Sequence, residues 1–138
     1  MTGEYQHTID AKGRLFIPSK LREELGDTFY ITVGMDPCLS IYSLESWNGF
    51  IDRFNSMPYS RSRRMRPLFA NAAKCELDGQ GRILIPQKLR DYAGLKKEIT
   101  VIGVSSRAEI WDSERWRRIE EEELTAENLS EVMEELSI

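Results

Sequence analysis

Long apolar runs are missing from this 138-residue chain, and no stretch approaches the roughly 20 residues needed to cross a bilayer. Its opening, Met1-Thr2-Gly3-Glu4-Tyr5, has no basic segment leading into an apolar one, so the expectation is a cytoplasmic protein with no export signal and no membrane partner. Cysteine is scarce. Cys38 and Cys75 show no C-x-x-C spacing, which argues against a disulfide scaffold and predicts buried free thiols in a reducing compartment. His7 is the only histidine; it falls in an expected strand, away from any nucleophile motif, and with two thiols it offers too few ligands for a zinc site. No activated nucleophile, catalytic carboxylate pair or metal cluster stands out, so neither an enzyme nor a cofactor or small-molecule substrate is expected.

An excess of positive charge is lacking too, since the net charge is −4. That deficit is local. From Asp112 to Ile138 about ten acidic side chains outnumber three basic ones, which leaves the preceding part at about +3. There the cations recur in short groups: Lys12 with Arg14, Lys20 with Arg22, the run Arg61, Arg63, Arg64 and Arg66, then Arg82, and Lys88 with Arg90. A cationic face is therefore compatible with an acidic chain.

What the chain does have is an internal repeat. Shifted by about 68 residues, Asp10–Gly26 (DAKGRLFIPSKLREELG) lies on Asp78–Gly94 (DGQGRILIPQKLRDYAG) with about half the positions identical. The match runs on through Ile31-Thr32-Val33 over Ile99-Thr100-Val101. After a one-residue slip, Gly34 falls on Gly103, Ile41 on Ile110, Glu45 on Glu114 and Trp47 on Trp116.

Each copy predicts the same elements. An extended segment (Tyr5 to Ile9; Lys74 to Leu77) enters an Asp-x-x-Gly turn, where Asp suits the first position of a type I turn and Gly the fourth. An apolar, β-branched strand comes next (Arg14 to Ile17; Arg82 to Ile85), and the proline after it ends the strand and opens a short helix. Those helices, Ser19 to Leu25 and Gln87 to Ala93, are closed by Gly26 and Gly94. Strands near Phe29 to Val33 and Leu39 to Tyr42 have counterparts near Glu98 to Ile102 and Glu109 to Trp111. Ser43 and Asp112 are the expected N-caps of the tryptophan-bearing helices. Gly79-Gln80-Gly81 is explained by its hairpin rather than by a nucleotide loop, and Trp47, Trp111 and Trp116 read as core anchors.

A unit of about 45 residues is too small to bury its own core, so the copies are expected to share one, with pseudo-twofold symmetry. The resulting class is mainly β with peripheral helices (α+β). Its expected divisions are a first unit with its helix over 1–57, a helical linker over 58–72 beginning a helix near Pro67, a second unit over 73–118, and an acidic C-terminal helix over 119–138. That last helix places Leu129, Val132, Met133 and Leu136 on one face, which needs a surface to pack on.

Three segments, GEYQHTIDAKGR, CELDGQGRILIP and GVSSRAEIW, closely resemble the MraZ family of bacterial transcriptional regulators, and the likeness extends to about Trp116. It departs at Thr2, where the family usually has an aromatic residue, and in the arginine-rich linker. The resemblance implies two AbrB-like swapped-hairpin units in a barrel-like pseudo-dimer, assembly of chains into a ring, and a DNA-binding face carrying Asp10, Arg14, Asp78 and Arg82. It also implies repression of the protein's own promoter within the division and cell-wall gene cluster.

Read from the residues, Asp10, Gly13, Asp78 and Gly81 shape the turns and aim the side chains just beyond them. Arg14 and Arg82 either form surface ion pairs with those aspartates or grip phosphate and guanine edges, and their duplicated placement favours DNA. Lys12 fits a phosphate contact or a solvated turn. Lys20, Arg22, Lys88 and Arg90 fit a DNA contact or an ordinary solvated helix face. The Arg61–Arg66 run fits a linker, a subunit contact or DNA. The expected partner is double-stranded DNA with short direct repeats near a helical turn apart, about 10 bp, bound by a nucleoid-associated homo-oligomer. The rival is an antitoxin-like or scaffold module that binds a protein through its acidic C-terminal helix.

Overall fold

The computed structural model describes residues 1–138. The first half holds β1 (Glu4–Thr8), β2 (Arg14–Phe16), α1 (Ser19–Leu25), β3 (Thr28–Val33), β4 (Leu39–Ser43) and α2 (Leu44–Asn55). Two short helices, α3 (Tyr59–Ser62) and α4 (Arg66–Ala70), bridge to the second half. That half repeats the order with β5 (Ala73–Glu76), β6 (Arg82–Leu84), α5 (Gln87–Ala93), β7 (Glu98–Val104), β8 (Arg107–Asp112) and α6 (Ser113–Glu123), and α7 (Ala126–Glu135) ends the chain.

The halves are interleaved. β1 pairs with β7 of the other half, β5 pairs with β3, and β2 pairs with β6, all antiparallel. This places the strands in a six-stranded sheet ordered β1-β7-β8-β4-β3-β5 and a separate β2–β6 ribbon. The barrel-like body is thus two sheets with open edges at β1 and β5, rather than one closed ring of strands. A single cluster of 18 buried residues draws on both halves, from Leu15, Ile17 and Leu21 to Ile83, Ile85 and Leu89. In the ribbon the period-two alternation of strands turns Leu15 and Ile83 into this core and leaves Arg14 and Arg82 on the outside.

One correspondence in the repeat is corrected by the pairing. His7 faces Ile99 and its repeat mate Cys75 faces Phe29, so Ile99 matches Phe29 rather than Ile31. Two extra residues therefore lie between α5 and β7, where Leu95-Lys96-Lys97 spans the path that Asp27 alone spans in the first half. A shift of two preserves the inside-outside alternation of a strand, so the hydrophobic pattern cannot detect it.

The helices close the ends of the sheet. Ser43 caps α2, its hydroxyl accepting from the Ser46 amide at 3.2 Å. Asp112 stands at the equivalent position but does not cap α6; its carboxylate accepts from the Lys96 amide at 3.1 Å, tying down the longer loop. Trp47 stacks on Tyr30 at 4.7 Å, and Phe69 of α4 packs on Phe54 at 4.5 Å. Pro67 sits in the first turn of α4, where its missing amide hydrogen costs nothing. No such cover exists for α7: Leu129, Val132, Met133 and Leu136 remain 47–62% exposed.

Candidate nucleic-acid interface

Each Asp-x-x-Gly turn is held by one carboxylate. Asp10 Oδ1 accepts from the Lys12 and Arg14 amides at 3.0 and 2.8 Å, and the Gly13 amide closes the turn onto the Asp10 carbonyl at 3.0 Å. Asp78 repeats the pattern, taking the Gln80 and Arg82 amides at 2.8 and 2.9 Å, with Gly81 closing onto its carbonyl at 3.0 Å. Gly13 and Gly81 have φ of +87° and +76°, a region costly for residues with a Cβ. Backbone amides aimed at each aspartate, reinforced by the arginine, hold both carboxyls below their usual pKa.

The second oxygen of each carboxylate orients an arginine. Arg14 Nε donates to Asp10 Oδ2 at 2.6 Å, and Arg82 Nε donates to Asp78 Oδ2 at 3.0 Å. The Arg82 guanidinium also lies 4.0 Å from Asp10 Oδ2, which brings the turns of the two halves into one charged cluster. Each guanidinium is thus oriented through Nε, with Arg82 also directing Nη1 toward Asp10, and the planar Nη1–Nη2 edge is the one that matches phosphate or guanine bidentately.

Beneath the turns lies a reciprocal brace. A Cβ built on Gly13 would meet Arg90 Nε at 2.8 Å, and one on Gly81 would meet Arg22 Nη1 at 2.6 Å. Arg90 Nε donates to the Ile85 carbonyl at 2.9 Å, while Arg22 lies 4.9 Å over the Phe16 ring and donates to Ser19 Oγ at 2.7 Å. The helix of each half thus supports the turn of the other.

Comparison with known proteins agrees with this doubled geometry. A model of the family described as "MraZ protein, putative antitoxin-like" matches residues 1–65 and again 68–137. The chain belongs to the MraZ family. Proteins named transcriptional regulator MraZ are similar to it throughout. The one from Acetivibrio thermocellus is 49% identical over 140 residues, covering 99% of this chain and 98% of that one. The one from Caldicellulosiruptor saccharolyticus is 49% identical over 142 residues, covering 100% and 99%. The Moorella thermoacetica protein is 51% identical over 117 residues, covering 83% and 82%.

Within this MraZ-family chain the other residues singled out from the sequence occupy different settings. Lys12, Lys20 and Lys88 are exposed and form no ion pair with the turns, whereas Arg22 and Arg90 are half-buried in the brace. The arginines of 61–66 are exposed on α3, α4 and the turn between them, with Arg66 5.7 Å over the Tyr59 ring. His7 packs on Phe16 at 5.0 Å. Both cysteines are free and buried, and burial pushes their thiols up to about 12 for Cys38 and about 11 for Cys75. Sequence reading missed the brace, because Arg22 and Arg90 repeat like any helix cation and their contacts cross between halves.

Proposed function

We propose that this chain is a non-catalytic transcriptional regulator that binds duplex DNA through the joined face of its two turns. The observation that carries this reading is the approach of Arg82 to Asp10, which puts both repeats' arginines in one outward patch over a rigid core. The guanidiniums contact phosphate and read base edges, while Asp10, Gly13, Asp78 and Gly81 position them. Lys12, Lys20 and Lys88 add phosphate contacts, and Arg22 and Arg90 support the turns while offering their outer nitrogens to the backbone. The names of the similar proteins support the same assignment.

One chain offers few contacts, so the reading includes a homo-oligomeric ring that engages several short direct repeats at its own promoter, in the cytoplasm on the nucleoid. The bare apolar row of α7 supports self-association: flanked by Glu127, Glu131, Glu134 and Glu135, it suits the exposed arginines of α3 and α4 on a second copy of the chain.

The test is a band shift with the DNA upstream of the protein's own gene. Arg14→Ala and Arg82→Ala should each weaken binding by about tenfold or more and flatten the salt dependence, with the oligomer intact. Unchanged affinity in both variants would remove these arginines from the mechanism.

A further inference from the structure

A pseudo-twofold face laid on DNA would read either strand direction equally if its halves were chemically alike. Here they are not, and the difference is concentrated beside the turns. The Ile9 amide donates to the Lys97 carbonyl at 2.9 Å, and the matching Leu77 amide donates to the Asp27 carbonyl at 3.4 Å. Lys97 and Asp27 therefore occupy equivalent positions with opposite charge. Lys12 on the first turn is matched by Gln80 on the second, while on the adjoining ladder rung each flank carries one carboxylate, Glu98 opposite Thr8 of β1 and Glu76 of β5 opposite Thr28.

Ion pairing does not erase the contrast. Lys96 lies 3.7 Å from Glu114 and Arg117 lies 3.7 Å from Glu98, while Lys12 and Lys97 remain exposed with no carboxylate within 4.0 Å. At the other end Asp27 and Glu76 are exposed and pair with no cation. The two ends belong to opposite edges of the six-stranded sheet, and screening over about 8 Å at physiological salt keeps each charge local.

We propose that the turn face is directional: the Lys12–Lys97 flank is a phosphate-binding subsite, and the Asp27–Glu76 flank repels the backbone, so that each chain sits on duplex DNA in one orientation. This rests on the DNA-binding function proposed for the two turns and gives it a sense along the helix axis. Phosphates run close past the Lys12–Lys97 flank and are held off the Asp27–Glu76 flank, while the arginines of both turns reach the duplex between them. Copies oriented alike would then match elements repeated in the same direction, whereas a symmetric face would suit inverted ones equally.

The experiment is tethered cleavage on the full chain. Ala11→Cys and Gln80→Cys each place one reactive thiol on one turn, and the buried natural thiols, with pKa values of about 12 and about 11, stay unlabelled. With iron-EDTA attached, each protein is bound to a duplex carrying one element footprinted upstream of the gene. Radical cutting is expected at one end of the element from position 11 and at the opposite end from position 80. Equal cutting at both ends from either position overturns directionality alone, whereas failure of the unlabelled wild type to shift that DNA overturns the DNA-binding reading with it. As a second readout, Lys97→Gln should lower the slope of log affinity against log salt by about 0.9, while Asp27→Asn should raise affinity. Equal losses in both variants would overturn the subsite.

Discussion

At the scale of single residues, two aspartates organise the backbone of the two turns. Each accepts two amides with one oxygen and an arginine with the other, so its charge fixes both the turn and the aim of the guanidinium. Their lowered pKa values set the sign of a pH effect. A carboxyl more acidic folded than unfolded contributes stability that is complete well above its ordinary value of 3.8 and is lost as pH falls through the lower folded value. Asp10→Asn with Asp78→Asn should therefore be less stable than wild type by a constant margin between about pH 8 and 5, and the margin should shrink below about pH 4. Urea unfolding across that range checks it, and a margin that does not change with pH would count against charge as the source. These aspartates, their glycines and the adjoining arginines were legible in the sequence, because turn chemistry is local and the repeat displayed it twice. Arg22 and Arg90 were legible only as cations; their contact with the opposite turn is set by tertiary pairing, which no residue-by-residue pattern carries.

Among elements, the sequence was clearest where periodicity and punctuation agree. α1 and α5 begin after a proline and stop at a glycine, and they fall at Ser19–Leu25 and Gln87–Ala93 as expected. It was least clear where a two-residue insertion left alternation unchanged, as before β7, and where an aspartate suited to capping met a stronger demand, as Asp112 meets the Lys96 amide. α7 is a third kind of element. Thr125 caps it through the Asn128 amide at 3.1 Å, so its start is locally specified, yet its apolar row finds no surface in its own chain. A chain ending at Leu124 should form a smaller assembly by mass measurement while each chain keeps its sheet and its turns. Its affinity for a single DNA element should change little, and its affinity for an array of elements should fall, because linked contacts are lost. An assembly of unchanged mass would show that α7 is not the contact.

At the scale of the molecule the swap of hairpins decides what can exist alone. Cut between α4 and β5, neither fragment holds a complete sheet: β1, β2, β3 and β4 lose β7, β6, β5 and β8 as partners, and the second fragment loses the same pairings. A fragment over 1–72 should be unfolded at low concentration, and any folded form should be a dimer in which two copies exchange hairpins. Circular dichroism with sedimentation checks this, and a folded monomer of that fragment would contradict the shared core. The repeat made the shared core expected from sequence, but only the backbone pairing that runs from Thr8 with Glu98 out to Met1 with Ser105 shows how far along the chain the exchange reaches.

That reach has a consequence for how the protein is made. The strand that leaves the ribosome first has no neighbour to zip onto until Glu98–Val104 has been synthesised, and its backbone donors and acceptors wait unpaired in the meantime. A nascent chain halted midway holds one turn without its brace or its counterpart. Only a nearly finished polypeptide can bring the two turns together.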